Sequence, residues 1–439
     1  MTGNKPFKQS KLQRFIIFIV ILTLALSFSI GYTYAVGEPT FQSISVSTSN
    51  ASPGDTVTVT VYATGVSTTD TCGIAYISPK GAFRFMDLSY DSTSGKLTGT
   101  FTVDNYDVPG VWKVAFIGIS GTFIDGDVTD LSAGDITVVN PNPDVTPPTF
   151  SSLQLSTTQT NPGGKVHIAV DASDSESGLD GALITWVCGL DSIDALVPFN
   201  EKTGKLEGDI YIPLDVSAGT YTLDSILIAD KQANEYTWSA ATGSAITGKN
   251  LVLSDDPNAP VAGFVDVHAD DWFAKDVLFL AQLEVLGGYA DGTFRPASNV
   301  TRAEFAKMVC QASGWELIHP ATPSFSDVPS SNWAYDYIET AKAHGVISGY
   351  PDGLFKPNNN ITRAEICKML ITALNIDIDV SGTAFSDVPS TYWAMQYIMT
   401  ARNCGIVSGY TGNIFKPAAL ATRAEAAKMI SNAFLNPGQ

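Results

Sequence analysis

The sequence predicts a multidomain chain, two tandem all-β sandwiches followed by an all-α array of three helical repeats. Three observations carry this. Residues 36–139 are rich in Thr, Val, Ser and Gly and hold alternating runs such as Thr56-Val57-Thr58-Val59-Thr60-Val61, the period of half-buried strands. Landmarks of that stretch recur at one constant offset: Pro53-Gly54 as Pro162-Gly163, Gly95-Lys96-Leu97 as Gly204-Lys205-Leu206, Gly110 as Gly219, and Trp112 at Tyr221. Thr-Arg-Ala-Glu occurs three times, at Thr301–Glu304, Thr362–Glu365 and Thr422–Glu425. A period that regular marks units that bury their apolar faces against one another, for which about three are usually needed.

At the start of the chain, Lys5, Lys8, Lys11 and Arg14 precede an uncharged run from Phe15 to Gly31 and then Thr33-Tyr34-Ala35. This is the plan of a secretory signal peptide over residues 1–35, with a retained single-span anchor as the competing reading. Its removal takes Lys+Arg from 25 to 21 against 44 Asp+Glu, so the formal charge moves from −19 to −23. A surface that acidic repels nucleic acid and anionic lipid. No nucleic-acid partner is expected, and no membrane contact after cleavage. Cys72, Cys188, Cys310, Cys367 and Cys404 are odd in number and scattered, which gives no disulfide framework. They read as small buried apolar residues.

The first sandwich is placed at 36–140 and the second at 149–253. Asn140-Pro141-Asn142-Pro143-Asp144-Val145-Thr146-Pro147-Pro148 supplies a semi-rigid, extended hinge over 141–148. Turn signals such as Ser52-Pro53-Gly54 cut the first stretch into short strands. In strand number and size both units resemble the immunoglobulin-like or fibronectin-like sandwiches of bacterial surface proteins, without the Cys-Trp-Cys pattern of antibody-type domains. The run Asp171-Ala172-Ser173-Asp174-Ser175-Glu176 either offers oxygen ligands to Ca²⁺ or is a solvated turn. No other cofactor or metal is expected.

After a linker at 254–260 the grammar changes to helices, in repeats at 261–318, 319–378 and 379–439. Each repeat opens with Phe-x-Asp-Val, around Asp266, Asp327 and Asp387, and places a Trp eight residues after the Phe, at Trp272, Trp333 and Trp393. A stretch with helical spacing follows, which the glycines Gly287-Gly288, Gly345 and Gly405 are expected to end. Gly-Tyr pairs at Gly288, Gly349 and Gly409 then lead into a loop closing on Phe-x-Pro. Thr-x-x-Glu before an apolar run is a capping box, so Thr301, Thr362 and Thr422 are expected N-caps paired with Glu304, Glu365 and Glu425. Capping gives no reason for Arg302, Arg363 and Arg423, since a cation at the first turn opposes the helix dipole. Beside unpaired helix amides a guanidinium makes a site for a carboxylate or phosphate; pairing with a carboxylate of a neighbouring repeat is the equal alternative.

The unit Phe-x-Asp-Val, Trp, Gly-Tyr-x-Asp-Gly-x-Phe-x-Pro and Thr-Arg-Ala-Glu, three times over residues 261–437, resembles the S-layer homology domain of bacterial surface proteins. The resemblance implies a pseudo-threefold assembly whose inter-repeat grooves bind secondary cell-wall polysaccharide, commonly with pyruvylated and so anionic sugars. Carried over, it implies that Arg302, Arg363 and Arg423 grip the anion, and that Gly288, Gly349 and Gly409 allow close sugar approach. Trp272, Trp333 and Trp393 are groove wall or inter-repeat core. Asp266, Asp327 and Asp387 are hydroxyl acceptors or local caps. The third unit departs at Tyr410-Thr411-Gly412-Asn413, where the loop Asp of Asp291 and Asp352 is lost, and a weaker groove is expected there.

These residues point to a non-catalytic surface protein anchored non-covalently to the bacterial cell wall, as an S-layer subunit or an accessory protein with possible self-assembly. The alternatives are a wall-anchored carbohydrate-active enzyme or an adhesin using the sandwiches. His167, His268, His319 and His344 are the only histidines, and no His-Glu-x-x-His or Gly-x-Ser-x-Gly occurs, so no catalytic residues are assigned.

Overall fold

A computed structural model describes residues 39–66, 72–119, 122–126, 128–244 and 246–435. The expected signal segment, 1–35, lies outside them. The chain divides between Asp255 and Asp256 into two units, inside the linker expected at 254–260.

In the first unit, ten strands run β1 (Thr40–Val46), β2 (Asn50–Ala51), β3 (Thr56–Thr64), β4 (Cys72–Ile77), β5 (Phe83–Asp87), β6 (Ser89–Asp91), β7 (Lys96–Thr102), β8 (Gly110–Ile119), β9 (Thr122–Asp125) and β10 (Ile136–Val138). They form a four-stranded sheet ordered β1-β3-β7-β6 and a six-stranded sheet ordered β2-β10-β8-β4-β5 with β9 on β8. Alternation does what its period requires: Val57, Val59 and Val61 are fully buried while Thr56 and Thr58 face out. They join Ile74, Tyr76, Phe101 and Trp112 in one core shared by both sheets.

Nine more strands follow: β11 (Thr149–Leu155), β12 (Gln159–Thr160), β13 (Lys165–Ser173), β14 (Leu179–Cys188), β15 (Asp191–Asn200), β16 (Lys205–Tyr211), β17 (Gly219–Asp230), β18 (Glu235–Ser239) and β19 (Leu251–Leu253). The internal repeat is kept in the backbone, because β11, β12, β13 and β16 each start and stop 109 residues after β1, β2, β3 and β7. Tyr221 takes the core place of Trp112, both nearly solvent-free. The copies differ at one edge. Where β5 and β6 are separate strands of different sheets, β15 continues unbroken, pairs β14 along its length and reaches β16 through Phe199 and Asn200. Both are mostly β, as expected.

The Pro-rich segment between these copies is anchored by hydrogen bonds. Asn140 Nδ2 donates to the carbonyls of Asn105 (2.9 Å) and Asp107 (2.8 Å), and Asp144, fully buried, accepts from the Ser177 amide (3.1 Å). Asp144 gathers with Asp174 and Asp230, their carboxylate oxygens within 4.8 Å of one another. Of the acidic run expected in the loop, only Asp174 takes part. Burial pushes the Asp230 carboxyl up to about 6, against hydrogen bonds from Asn234 and Gln232 that favour its charged form.

Among the described residues the second unit contains six helices: α1 (Ala274–Gln282), α2 (Arg302–Ala312), α3 (Tyr335–Ala343), α4 (Arg363–Ala373), α5 (Met395–Asn403) and α6 (Arg423–Leu435). Each repeat supplies two, and the second helix of each packs on the first helix of the next: α2 on α3, α4 on α5, and α6 back on α1. The ring therefore closes. Single-residue β-bridges tie the repeats below the helices, Thr301 to Asn360, Thr362 to Leu420 and Asn299 to Thr422. No helix among the described residues is long and apolar enough to cross a membrane.

One expected helix stop is corrected. Gly345 (φ 72°) and Gly405 (φ 73°) do end α3 and α5 in the left-handed conformation, but after α1 that position is Glu284 (φ 56°), and Gly287-Gly288 lies beyond it. A side chain there is strained, because its Cβ crowds the following carbonyl. Glu284→Gly should raise the stability of the helical unit by about 1 kcal/mol, read as an upward shift in the midpoint of the 222 nm thermal transition; an unchanged or lower midpoint would refute the strain.

Candidate functional site

The three Thr-Arg-Ala-Glu segments open α2, α4 and α6. Glu304 donates its amide to Thr301 Oγ1 (3.2 Å) and accepts from the Thr301 amide (2.8 Å), and Glu365 with Thr362 and Glu425 with Thr422 repeat the pattern. The next two amides are not free. Arg302 and Ala303 donate to the carbonyls of Asn359 (2.8 Å) and Pro357 (3.0 Å), Arg363 and Ala364 to Ala419 (3.0 Å) and Pro417 (3.1 Å), and Arg423 and Ala424 to Ser298 (2.8 Å) and Pro296 (3.0 Å). The expected anion site built on unpaired helix amides is therefore corrected. Loop carbonyls of a neighbouring repeat fill it.

The arginines reach the same way. Arg302 Nε donates to the Phe355 carbonyl (2.9 Å) and Nη1 to Glu365 (2.9 Å); Arg363 does so to Phe415 (3.0 Å) and Glu425 (3.2 Å). Arg423 closes the circle on the first repeat, donating to the carbonyls of Phe294 (2.7 Å) and Gly287 (2.8 Å) with Glu304 at 3.9 Å. Each guanidinium lies over a Tyr ring, Arg302 on Tyr350 at 4.5 Å, Arg363 on Tyr410 at 4.7 Å and Arg423 on Tyr289 at 5.1 Å. Pairing with a neighbouring repeat is thus present at all three. Burial raises the Tyr350 hydroxyl to about 12, helped by its hydrogen bond to Glu365.

Asp266, Asp327 and Asp387 cap their own repeat's loop. Asp266 accepts from the amides of Phe294 (2.6 Å) and Arg295 (2.8 Å), Asp327 from Phe355 and Lys356, and Asp387 from Phe415 and Lys416. The residue so held is left-handed in every repeat, with φ of 59° at Arg295, 61° at Lys356 and 58° at Lys416. Gly288, Gly349 and Gly409 answer to the fold: a Cβ would stand 2.6, 2.5 and 2.4 Å from the rings of Phe264, Phe325 and Phe385. In the third loop Gly412 stands at the Asp position and Asn413 at that of Gly292 and Gly353, where it accepts from Arg402 Nη1 (2.9 Å) and donates to the Ala384 carbonyl (2.9 Å).

Trp272, Trp333 and Trp393 are exposed by 58, 59 and 54%. The reading of these rings as inter-repeat core is corrected; the residue after each Trp, Phe273, Ala334 and Ala394, is buried instead. Trp393 stands over a groove of about 670 Å³ with Arg302, Tyr350, Gly349 and Lys368. Trp272 stands over one of about 250 Å³ with Arg363, Tyr410, Gly409 and Lys428. Both of these grooves therefore draw on all three repeats: an Arg from one, the Tyr loop and second helix from the next, and the Trp from the third. Lys307, Lys368 and Lys428 were not singled out from sequence, although each falls six residues after its capping Thr. An apolar ring facing solvent beside a cation offers one apolar face and one charged group to a ligand.

This ring of six helices with its exposed tryptophans is a module built from three repeats. The S-layer homology domain family matches residues 263–306, 324–367 and 384–427, so the chain carries three S-layer homology domains. Over 161 residues it is 35% identical to Cell surface glycoprotein 1 of Acetivibrio thermocellus, covering 34% of this chain and 7% of that protein. It is 32% identical over 180 residues to the S-layer protein of Bacillus thuringiensis subsp. finitimus (39% and 22% covered) and 32% identical over 214 residues to Exoglucanase XynX of Acetivibrio thermocellus (46% and 19% covered). The chain thus spans at most about a fifth of the length of these relatives. Domains of this family belong to secreted, cell-wall-bound proteins, and the chain is a surface protein of that kind.

Proposed function

We propose that the three S-layer homology repeats, over 261–318, 319–378 and 379–439, hold the chain non-covalently on an anionic, pyruvylated secondary cell-wall polysaccharide. The sandwiches at 36–140 and 149–253 are then displayed, as part of an S-layer or as an accessory surface protein without catalysis of its own. The observation that carries this is the exposed Trp393 over Tyr350, Arg302 and Lys368. An aromatic ring kept out of the core, beside a cation, serves a ligand better than it serves the fold. The smaller groove at Tyr410 supports a weaker second site.

Sedimentation with isolated wall sacculi tests the proposal. Trp393→Ala is expected to weaken binding by about 2 kcal/mol, or about thirtyfold, while the thermal midpoint holds because little buried area is lost. The reading fails if a variant lacking all three of Trp272, Trp333 and Trp393 sediments as the unaltered chain does.

A further inference from the structure

The grooves share one plan and differ at one contact. Each contains a lysine from the second helix of the repeat that gives the Tyr. The helix that bears this lysine packs on the first helix of another repeat, where the residue four places after the Trp is the corresponding position in each repeat. For Lys307 this is Tyr337, with Nζ 5.9 Å from the ring centroid. For Lys428 it is Asp276, whose Oδ2 accepts from Nζ at 3.4 Å. In the third repeat the position is Tyr397, and Lys368 makes no ion pair among the described residues.

The consequence is a difference in charge, beside the difference in volume, between two grooves built on the same positions. The Tyr350 groove sets Arg302 and Lys368 against a single carboxylate, Glu365. In the Tyr410 groove Arg363 pairs with the one lining carboxylate, Glu425, and Lys428 is paired from behind the lining by Asp276. The Asp276 side chain is only 12% exposed, so water and salt screen it poorly. Its Lys428 partner also lies 6.0 Å from the Trp272 ring centroid, on the surface a sugar would cover.

We propose that Asp276 is a specificity determinant: it reserves the Tyr410 groove for an uncharged sugar and leaves the Tyr350 groove, through Lys368, as the site for an anionic one. Resting on the polysaccharide reading above, this assigns the two grooves to different residues of one polymer. Arg302 and Arg363 are then positioning residues common to both, since each already spends its charge on a neighbouring Glu.

The test uses the full chain labelled with 5-fluorotryptophan, because each groove holds its own tryptophan. The Trp272 and Trp393 signals are identified by their loss in W272F and W393F. The probes are a methyl hexosaminide bearing a 4,6-linked pyruvate ketal and the same glycoside without the ketal. The ketal sugar is expected to shift Trp393 with a midpoint at least about tenfold below that for Trp272, and the neutral sugar to show no such gap. Asp276→Asn should lower the Trp272 midpoint for the ketal sugar by about fivefold, the scale of one partly screened charge, without moving Trp393. D276Y, which carries the side chain of the other repeats, should act in the same direction and guards against a packing defect in the first variant. K368Q should raise the Trp393 midpoint for the ketal sugar alone. Equal midpoints at the two tryptophans, or no response to either Asp276 variant, overturns the assignment. Silence of both signals while the chain still sediments with sacculi overturns it and leaves the anchoring reading standing; silence together with lost sedimentation overturns both.

Discussion

Arg302→Ala lowers the stability of the helical unit by about 3 kcal/mol, near the low end for breaking a buried ion pair. Two acceptors lose their donor at once: the Phe355 carbonyl and Glu365, whose side chain is only 16% exposed. Glu365 keeps the Tyr350 hydroxyl at 2.6 Å, which holds the loss below the full range. Arg302→Lys restores the charge but cannot serve both acceptors, and should recover less than half. Arg423→Ala should cost less, about 2 kcal/mol, because Glu304 is 3.9 Å away and 27% exposed. The helical signal at 222 nm in urea reports the second unit within the full chain, since the six α-helices among the described residues lie there. Equal unfolding midpoints for Arg302→Ala and the unaltered chain would refute the account.

The pH dependence of that loss has a definite sign. Burial alone would raise the Glu365 carboxyl, but hydrogen bonds from Tyr350 and Thr362 and the Arg302 charge together hold it below its ordinary value of 4.5. A depressed folded value gives stability that is present above the ordinary value and lost as pH falls through the folded one. The penalty of Arg302→Ala should therefore shrink on acidification below about pH 4.

Gly349→Ala produces a loss of similar size, about 3 kcal/mol, by another route. Its φ of 74° places a new Cβ in a strained conformation, and that Cβ stands 2.5 Å from Cε1 of Phe325, a ring 4% exposed and packed on Phe355 at 5.6 Å. Neither ring can retreat without opening the repeat. Gly353→Ala separates the two causes. It has nearly the same φ, 77°, with nothing within 4 Å of the added atom, so it carries the backbone strain alone and should cost about 1 kcal/mol. Equal losses at the two positions would show that the ring contact is unimportant.

Much of the architecture could be read along the chain because it depends on neighbours in sequence. Alternating Thr and Val dictates a strand with one buried face, and Val57, Val59 and Val61 obey it without outside help. The capping boxes need only residues three apart. The constant offset between the two β copies reappears at β1, β2, β3 and β7, since equal spacing of turns and apolar positions leaves the backbone the same course there.

What the chain could not disclose lies in partners far along it. Nothing near Arg423 foretells that it serves the carbonyl of Phe294, 129 residues earlier, or that loop carbonyls of another repeat occupy the helix amides that looked free. A tryptophan is apolar enough to suggest core, and only closure of the ring shows that it stays outside, above a groove assembled from all three repeats. The glycine before each Tyr was legible as a glycine but not for its reason, a phenylalanine ring some two dozen residues upstream. Sequence by itself determined the strands, the caps and the threefold count, because those rest on short-range geometry. Tertiary structure alone decided which charges are spent on holding the ring together and which face a ligand, because a charge is neutralised by whatever the fold brings within a few ångströms of it.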